Sequence, residues 1–213
     1  MFTGLVEEVG TVTGIVEKNG LRRVSVAASQ LTRELKIGDS IAVSGVCLTA
    51  VEVSPKHFAA DLALETWQRT SFSRMHQGAL VNLELPMRLD GRLGGHLMQG
   101  HVDGAGKFVS LERIPGGEDY WLTIVIPPEL DRYVIHKGSL SIEGISLTVA
   151  RIENNRVTVA IIPHTWEMTN LRSLKPGDPV NLEVDMIAKY VEKMLRSDDP
   201  QTLSVERLVA EGF

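Results

Sequence analysis

A thiol and a hydroxyl stand at matched places in two similar strings, Cys47 in GVCLT (45–49) and Ser146 in GISLT (144–148). Either group could donate a proton or act as a nucleophile. His101, inside GGHLMQGHVDG (94–104), offers an imidazole that exchanges protons near neutral pH, and Lys137, His164 and Asp185 add charge. Each also has a plainer role. A histidine between glycines caps turns, Lys137 in IHKGSL suits a solvated turn, and Cys47 and Ser146 suit small packing positions at strand ends. Neither shows a Gly-x-Ser-x-Gly elbow or a base adjacent in sequence, and the apolar run IAVSGVCLTAV disfavours thiolate chemistry at Cys47. The six histidines (57, 76, 96, 101, 136 and 164) include no i, i+4 pair, and one cysteine leaves no zinc spacing, so we expect no metal. The glycines of GRLGGHLMQGHVDGAG precede no GK(S/T) and make no phosphate loop.

The two strings belong to a longer repeat. From Ser40, SIAVSGVCLTAVEV aligns with SLSIEGISLTVARI from Ser139 at an offset of 99, and the offset holds to VNLE at 81–84 against VNLE at 180–183. Twelve positions in that span are identical, among them Gly45/Gly144, Thr49/Thr148, Thr66/Thr165, Trp67/Trp166 and Gly78/Gly177. MFTGLVEEVG at the start matches the middle of the chain as well, with Gly4 over Gly100, Val6 over Val102 and Gly10 over Gly106. We read a tandem duplication, with halves at 1–88 and 89–186 and a C-terminal helix and tail at 187–213. Matched positions that differ are the informative ones: Cys47/Ser146, Leu5/His101, Glu65/His164 and Pro86/Asp185. The second half carries the proton-handling groups. Two like pockets suit two molecules of one compound or a ligand with two similar halves, with one pocket able to hold while the other reacts.

The elements that must position these groups read as strands. VSVAA (24–28), SIAVSG (40–45), LTAVEV (48–53) and HFAADLA (57–63) are short β-branched or alternating runs separated by KNG, KIGD and SPKH. WLTIVI, SLSIEG, LTVARI and RVTVAII repeat the scheme around PGGED and ENN. Short strands at regular spacing predict a small closed barrel in each half. TWQRTSFSRM and TWEMTNLRSL predict a short helix or turn, and DMIAKYVEKMLRS an amphipathic helix with Ile187, Tyr190, Val191, Met194 and Leu195 on one face and Asp185 as its cap. Such a stripe beside two complete barrels needs a partner, either the chain's own barrels or, as we expect, another copy of the chain. The 213 residues carry a net charge of −5 with 22 dispersed basic residues, which argues against a nucleic-acid partner. No apolar run approaches the roughly 18 residues of a membrane span, and the acidic start does not read as a secretory peptide. We expect a soluble, cytoplasmic protein.

MFTGLVEEVG, GVCLTA, LALETW, GGHLMQGHVDG, GISLTV and IIPHTW, in this order and on this duplication, closely resemble the α-type riboflavin synthase family over residues 1–195. The resemblance implies all-β architecture: two six-stranded Greek-key barrels with a C-terminal α-helix that makes a homotrimer. It implies a dismutation of two molecules of 6,7-dimethyl-8-ribityllumazine per active site, one giving four carbons to the other, to yield riboflavin and 5-amino-6-ribitylaminouracil, without a cofactor. A pocket of one barrel then faces a pocket of the other type on a neighbouring subunit.

Carried over position by position, the family's ligand-contacting segments fall on Gly4, Leu5 and Val6, on Cys47, Leu48 and Thr49, and on Asp61, Leu62, Ala63, Leu64, Glu65 and Thr66 of the first barrel. In the second they fall on Gly100, His101 and Val102, on Lys137, on Ser146, Leu147 and Thr148, and on Ala160, Ile161, Ile162, Pro163, His164 and Thr165. Phe2, Ser40 and Asp185 match positions used around the reaction. His164 departs from members that carry Glu there. His101 is expected to transfer the proton, with Ser146 or Cys47 donating to the ring or its added nucleophile and Lys137 and Asp185 stabilising charge. Orientation of two reactants can supply roughly 7–11 kcal/mol against about 10²–10⁴-fold from one acid–base group, so positioning should dominate. The competing expectation is a carrier that holds lumazine or flavin without turning it over. A structural barrel with no ligand leaves the unlike matched pairs unexplained.

Overall fold

The computed structural model describes residues 1–18, 20–195 and 209. The first barrel closes from β1 (Glu8–Lys18), β2 (Leu21–Ala27), β3 (Ser40–Val43), β4 (Val46–Ser54), β5 (His57–Ala63) and β6 (Leu80–Glu84), in the order β1-β2-β5-β4-β3-β6. The second closes from β7 (Gly104–Arg113), β8 (Tyr120–Val125), β9 (Ser139–Ile142), β10 (Ile145–Glu153), β11 (Arg156–Ile161) and β12 (Pro179–Val184), in the same order shifted by six. Between the last two strands of each half lie the short helices α1 (Leu64–Arg69) and α2 (Pro163–Glu167), each followed by a 3-10 turn. The duplication is therefore a duplication of topology.

Alternation builds each core. Val24, Val26, Leu48, Phe58, Ala60, Leu62 and Leu83 fill the first barrel, and Leu122, Ile124, Leu147, Val149, Val157, Val159 and Leu182 the second. Thr49 and Asp61, one step along from core residues, face outward.

The two barrels meet tip to tip. The hairpins β3–β4 and β9–β10 turn through Ser44-Gly45 and Glu143-Gly144, all four at positive φ, the geometry of a two-residue hairpin turn. A Cβ on Gly45 would lie 2.8 Å from the Gly144 nitrogen, and one on Gly144 2.5 Å from that of Gly45. Around this contact a buried polar seam repeats itself in both directions. Asn82 Nδ2 donates to the Glu143 carbonyl as Asn181 Nδ2 does to that of Ser44, and Asn170 N donates to Asn82 Oδ1 as Ser71 N does to Asn181 Oδ1. The Glu143 carboxyl, fully buried, accepts from Asn181 N, Asn170 Nδ2 and Arg74. Every donor has its acceptor, which such burial demands.

The last helix, α3 (Met186–Leu195), starts on Asp185, whose Oδ1 accepts from Ile187 N. Its polar side is tied to the second barrel: Lys189 Nζ lies 2.5 Å from Asp103 Oδ1, and Glu192 pairs with Arg132 at 3.1 Å and accepts from the Tyr133 hydroxyl. Ile187, Tyr190, Val191, Met194 and Leu195 are 49–82% exposed. The apolar stripe is thus largely exposed. Of the tail, residues 196–208 and 210–213 lie outside the described residues.

Candidate functional site

Past the pairs Ala50↔Ala60 and Val149↔Val159, the pairing of β4 with β5, and of β10 with β11, goes no further. Ala50 spends its N–H and C=O toward β3, on Asp39 and Gly38. In an antiparallel strand the next residue points its main chain the other way, so Thr49 offers a donor and an acceptor to the edge that β5 has left. Val149 uses Gly138 and Lys137 in the same manner, and Thr148 is the counterpart of Thr49. Each barrel therefore carries an opening on its outer wall, between 47–49 and 61–63 in the first and between 146–148 and 160–162 in the second.

Thr49, Ala63, Leu64 and Glu65 are exposed at the first opening, with Cys47, Asp61 and Thr66 half-buried; Ser40 pairs in register with Thr49. At the second, Thr148, Ala160, Ile162 and His164 are exposed, with Ser146, Pro163 and Thr165 half-buried. Leu48, Leu62, Leu147 and Ile161 turn into the cores, so only their main chains can reach a ligand. Lys137 is exposed on a positive-φ turn at the rim of the second. Phe2 is 1% exposed among Ala42, Met98 and the flank of Cys47, where it anchors the N-terminal strip.

The strips that lead into the barrels are exchanged. Glu84 accepts from Thr3 N, Thr3 Oγ1 and Gly4 N, and Glu183 accepts from Gln99 N, Gly100 N and His101 N. Burial pushes both carboxyls above their usual range, opposed by those N–H donors. From these anchors the strips pair with each other through Phe2 and Met98 and cross over: Ser146 N donates to Gly4 O, and Cys47 N to Gly100 O. Val6 packs on the second core and Val102 on the first. This corrects the sequence-based grouping, which gave Gly4, Leu5 and Val6 to the first site and Gly100, His101 and Val102 to the second. The physical cause is the free edge at Cys47 and Ser146, which the other half's strip satisfies.

The fold also brings a base to Ser146 that sequence spacing does not show. Sequence offered none beside Ser146, yet His96 Nδ1 lies 2.7 Å from Ser146 Oγ, fifty residues away in the chain. His96 is 8% exposed, and its Nε2 has no partner among the described residues. A Cβ on Gly95 would lie 3.0 Å from the Ser146 hydroxyl and one on Gly4 2.6 Å from its Cβ, so glycine in both strips lets the chain close over this pair. Cys47 instead lies against apolar Phe2, Ala42 and Met98. Burial lowers the His96 pKa below its ordinary 6.5, and the negative charge of Asp185 works against that shift. A neutral imidazole is thereby held as a base at pH 7. Because the unfolded chain takes up this proton first, the stabilisation is present above about pH 6.5 and declines as pH falls from there toward the folded value. His96→Gln should flatten that part of the stability–pH curve, measured by thermal unfolding between pH 7.5 and 5; an unchanged slope would show that the buried imidazole does not control it.

A doubled barrel with an edge opening in each wall defines a tandem lumazine-binding protein: the lumazine binding domain family model matches residues 3–86 and 99–185. The chain is 42% identical to the riboflavin synthase of Actinobacillus pleuropneumoniae over the whole of both chains, and 44% identical to that of Mycobacterium tuberculosis over 92% of this chain and 99% of the relative. It belongs to the riboflavin synthase family. Among solved structures, LumP complexed with riboflavin superposes with a TM-score of 0.80 at 23% identity, over 86% of this chain and 99% of that one, which shows the shared fold.

Proposed function

We propose that the chain catalyses the dismutation of 6,7-dimethyl-8-ribityllumazine to riboflavin and 5-amino-6-ribitylaminouracil. The observation that carries this reading is the pair of equivalent openings whose reactive ends differ, Ser146 bonded to His96 in one and Cys47 among apolar side chains in the other. The main-chain N–H and C=O of Thr49 and Thr148 suit a pyrimidinedione edge, which needs fixed donors and acceptors. The polyol tail takes the short polar groups at the rims, Asp61, Glu65, Thr66, His164 and Thr165. His101 and the Ser146–His96 pair handle the proton that leaves the ring methyl and the nucleophile that adds to the partner ring; Lys137 and Asp185 stabilise the charge that results. The heterocycle holds its own anion, so the protein chiefly brings two rings together.

Both openings lie on outer walls, and each needs a second surface to exclude water. The outward stripe of α3 supports assembly into a trimer in which a first-type opening faces a second-type one across subunits. No described helix is long and apolar enough to cross a membrane. The deciding experiment mixes purified protein with the lumazine and no added metal, flavin or nicotinamide. One riboflavin should appear for every two lumazines consumed. A tightly bound but unconsumed chromophore would make the chain a carrier and overturn the proposal.

A further inference from the structure

In the repeat Glu7 stands over Asp103, and each carboxylate ties its strip to the end of its barrel's last strand: Glu7 Oε1 accepts from Leu85 N at 2.8 Å, and Asp103 Oδ2 from Val184 N at 2.9 Å. Beyond that bond the halves differ. Past Leu85 the first half runs on into the linker, whereas past Val184 the second runs into α3. Burial raises the Glu7 pKa against the bond from Leu85, and the like charge of Glu34 adds to the rise. Asp103 instead meets an ammonium: Lys189 Nζ, at the end of the first turn of α3, lies 2.5 Å from its other oxygen, Oδ1.

What the helix holds there is the strip that serves the other barrel. Gly100 N and His101 N rest on Glu183, Gly100 O accepts from Cys47 N at the first opening, and Val102 packs on the first core. Burial and Asp103 both disfavour charge on Glu183, and Lys189 favours it. One ammonium therefore steadies both carboxylates that hold the strip. With side chains 31% and 19% exposed, such a pair adds little to global stability; its effect is on where the strip lies.

We propose that Lys189 is a positioning residue for the first opening: its bond to Asp103 fixes the strip at 99–103, and His101 with it, so that α3 serves one opening and not the other. The consequence for catalysis rests on the reaction proposed above.

The test is amide hydrogen exchange on the full chain without ligand, followed by single-turnover kinetics. Lys189→Gln should speed exchange at Gly100, His101 and Cys47 by about five-fold, the size of one lost partly buried pair. Ser146 N, which the first half's strip holds through Gly4 O, should stay within about two-fold. The single-turnover rate should fall by about five-fold as His101 loses its orientation. Lys189→Arg, which keeps the charge, should recover most of both losses. Asp103→Asn should match Lys189→Gln, with no further loss in the double variant because the two act as one unit. Val191→Glu, on the exposed stripe of α3, parts the subunits but keeps Lys189, and should leave strip exchange at the wild-type rate. Faster exchange in that variant would assign the effect to assembly. Unchanged exchange in Lys189→Gln would make the pair a contact of the helix alone, and a rise that includes Ser146 would mark general loosening. Each of these three results overturns the inference. Exchange needs no substrate, so the tether is decided apart from the proposed reaction, which fails if wild-type protein makes no riboflavin.

Discussion

Ser146→Ala should lower single-turnover rates by about ten-fold or more while lumazine still binds, and His101→Gln should do the same. The reasoning starts from what each substitution removes. Ser146 is half-buried at the second opening with its hydroxyl on His96 Nδ1, and its backbone N–H, which the substitution keeps, is what holds Gly4. The strip stays docked and only the hydroxyl goes. Some stability will be lost as well, about 1–3 kcal/mol, because a buried imidazole nitrogen is left without a partner. His101 is held by its main chain on Glu183 and exposes its ring, so glutamine there removes proton transfer without disturbing the strip. Cys47→Ser is the control, a change of matched residue at the first opening that should leave the rate nearly alone. Wild-type rates from both test variants would return Ser146 and His101 to packing and turn-capping roles. Loss of binding together with rate would mark a damaged site rather than a catalytic one.

Ending the chain at Val184 should yield monomers whose activity falls by on the order of ten-fold or more, because reactants in separate half-sites lose their mutual orientation. The cut removes α3 but leaves β12 whole. A gentler variant separates assembly from folding: Val191→Glu places a charge at a residue already 49% exposed, so the barrels should keep their thermal stability while the subunits part. Sedimentation of both proteins decides. If the truncated chain remains a trimer, α3 is not the assembly element, and if the monomer keeps full activity, each chain holds a complete site.

Much of this arrangement was legible in the sequence because it is local. Strand alternation in HFAADLA (57–63) gave β5 to the residue, and the apolar spacing after Asp185 gave α3, its cap and its exposed stripe. β1 was harder: EVGTVTGIVEK breaks its alternation at Gly14, where the register with β2 shifts, so a period of two is not sustained. Matching the halves picked out the unlike pairs Cys47/Ser146, Leu5/His101, Glu65/His164 and Pro86/Asp185, while the other candidates came from the family resemblance. What could not be read was pairing over long separations. Nothing in the spacing of His96 and Ser146 announces a hydrogen bond across fifty residues. Likewise GGHLMQGHVDG gives no sign that Gly100 serves the barrel of the other half. A GG pair that lets a strip lie against a serine was the available signal, visible only once the strip's destination is known.

The seam between the barrels carries a meaning of its own. Asn82 and Asn181 do for each other's half what an isologous contact does between two identical subunits: patch i meets patch j, and j meets i. Ser71 and Asn170 both contribute through a backbone N–H, which any side chain preserves. A single half released from the linker at 85–103 would therefore find its default mate in a second copy of itself, and the covalent link serves to enforce a pairing of unlike halves where symmetry alone would permit like with like.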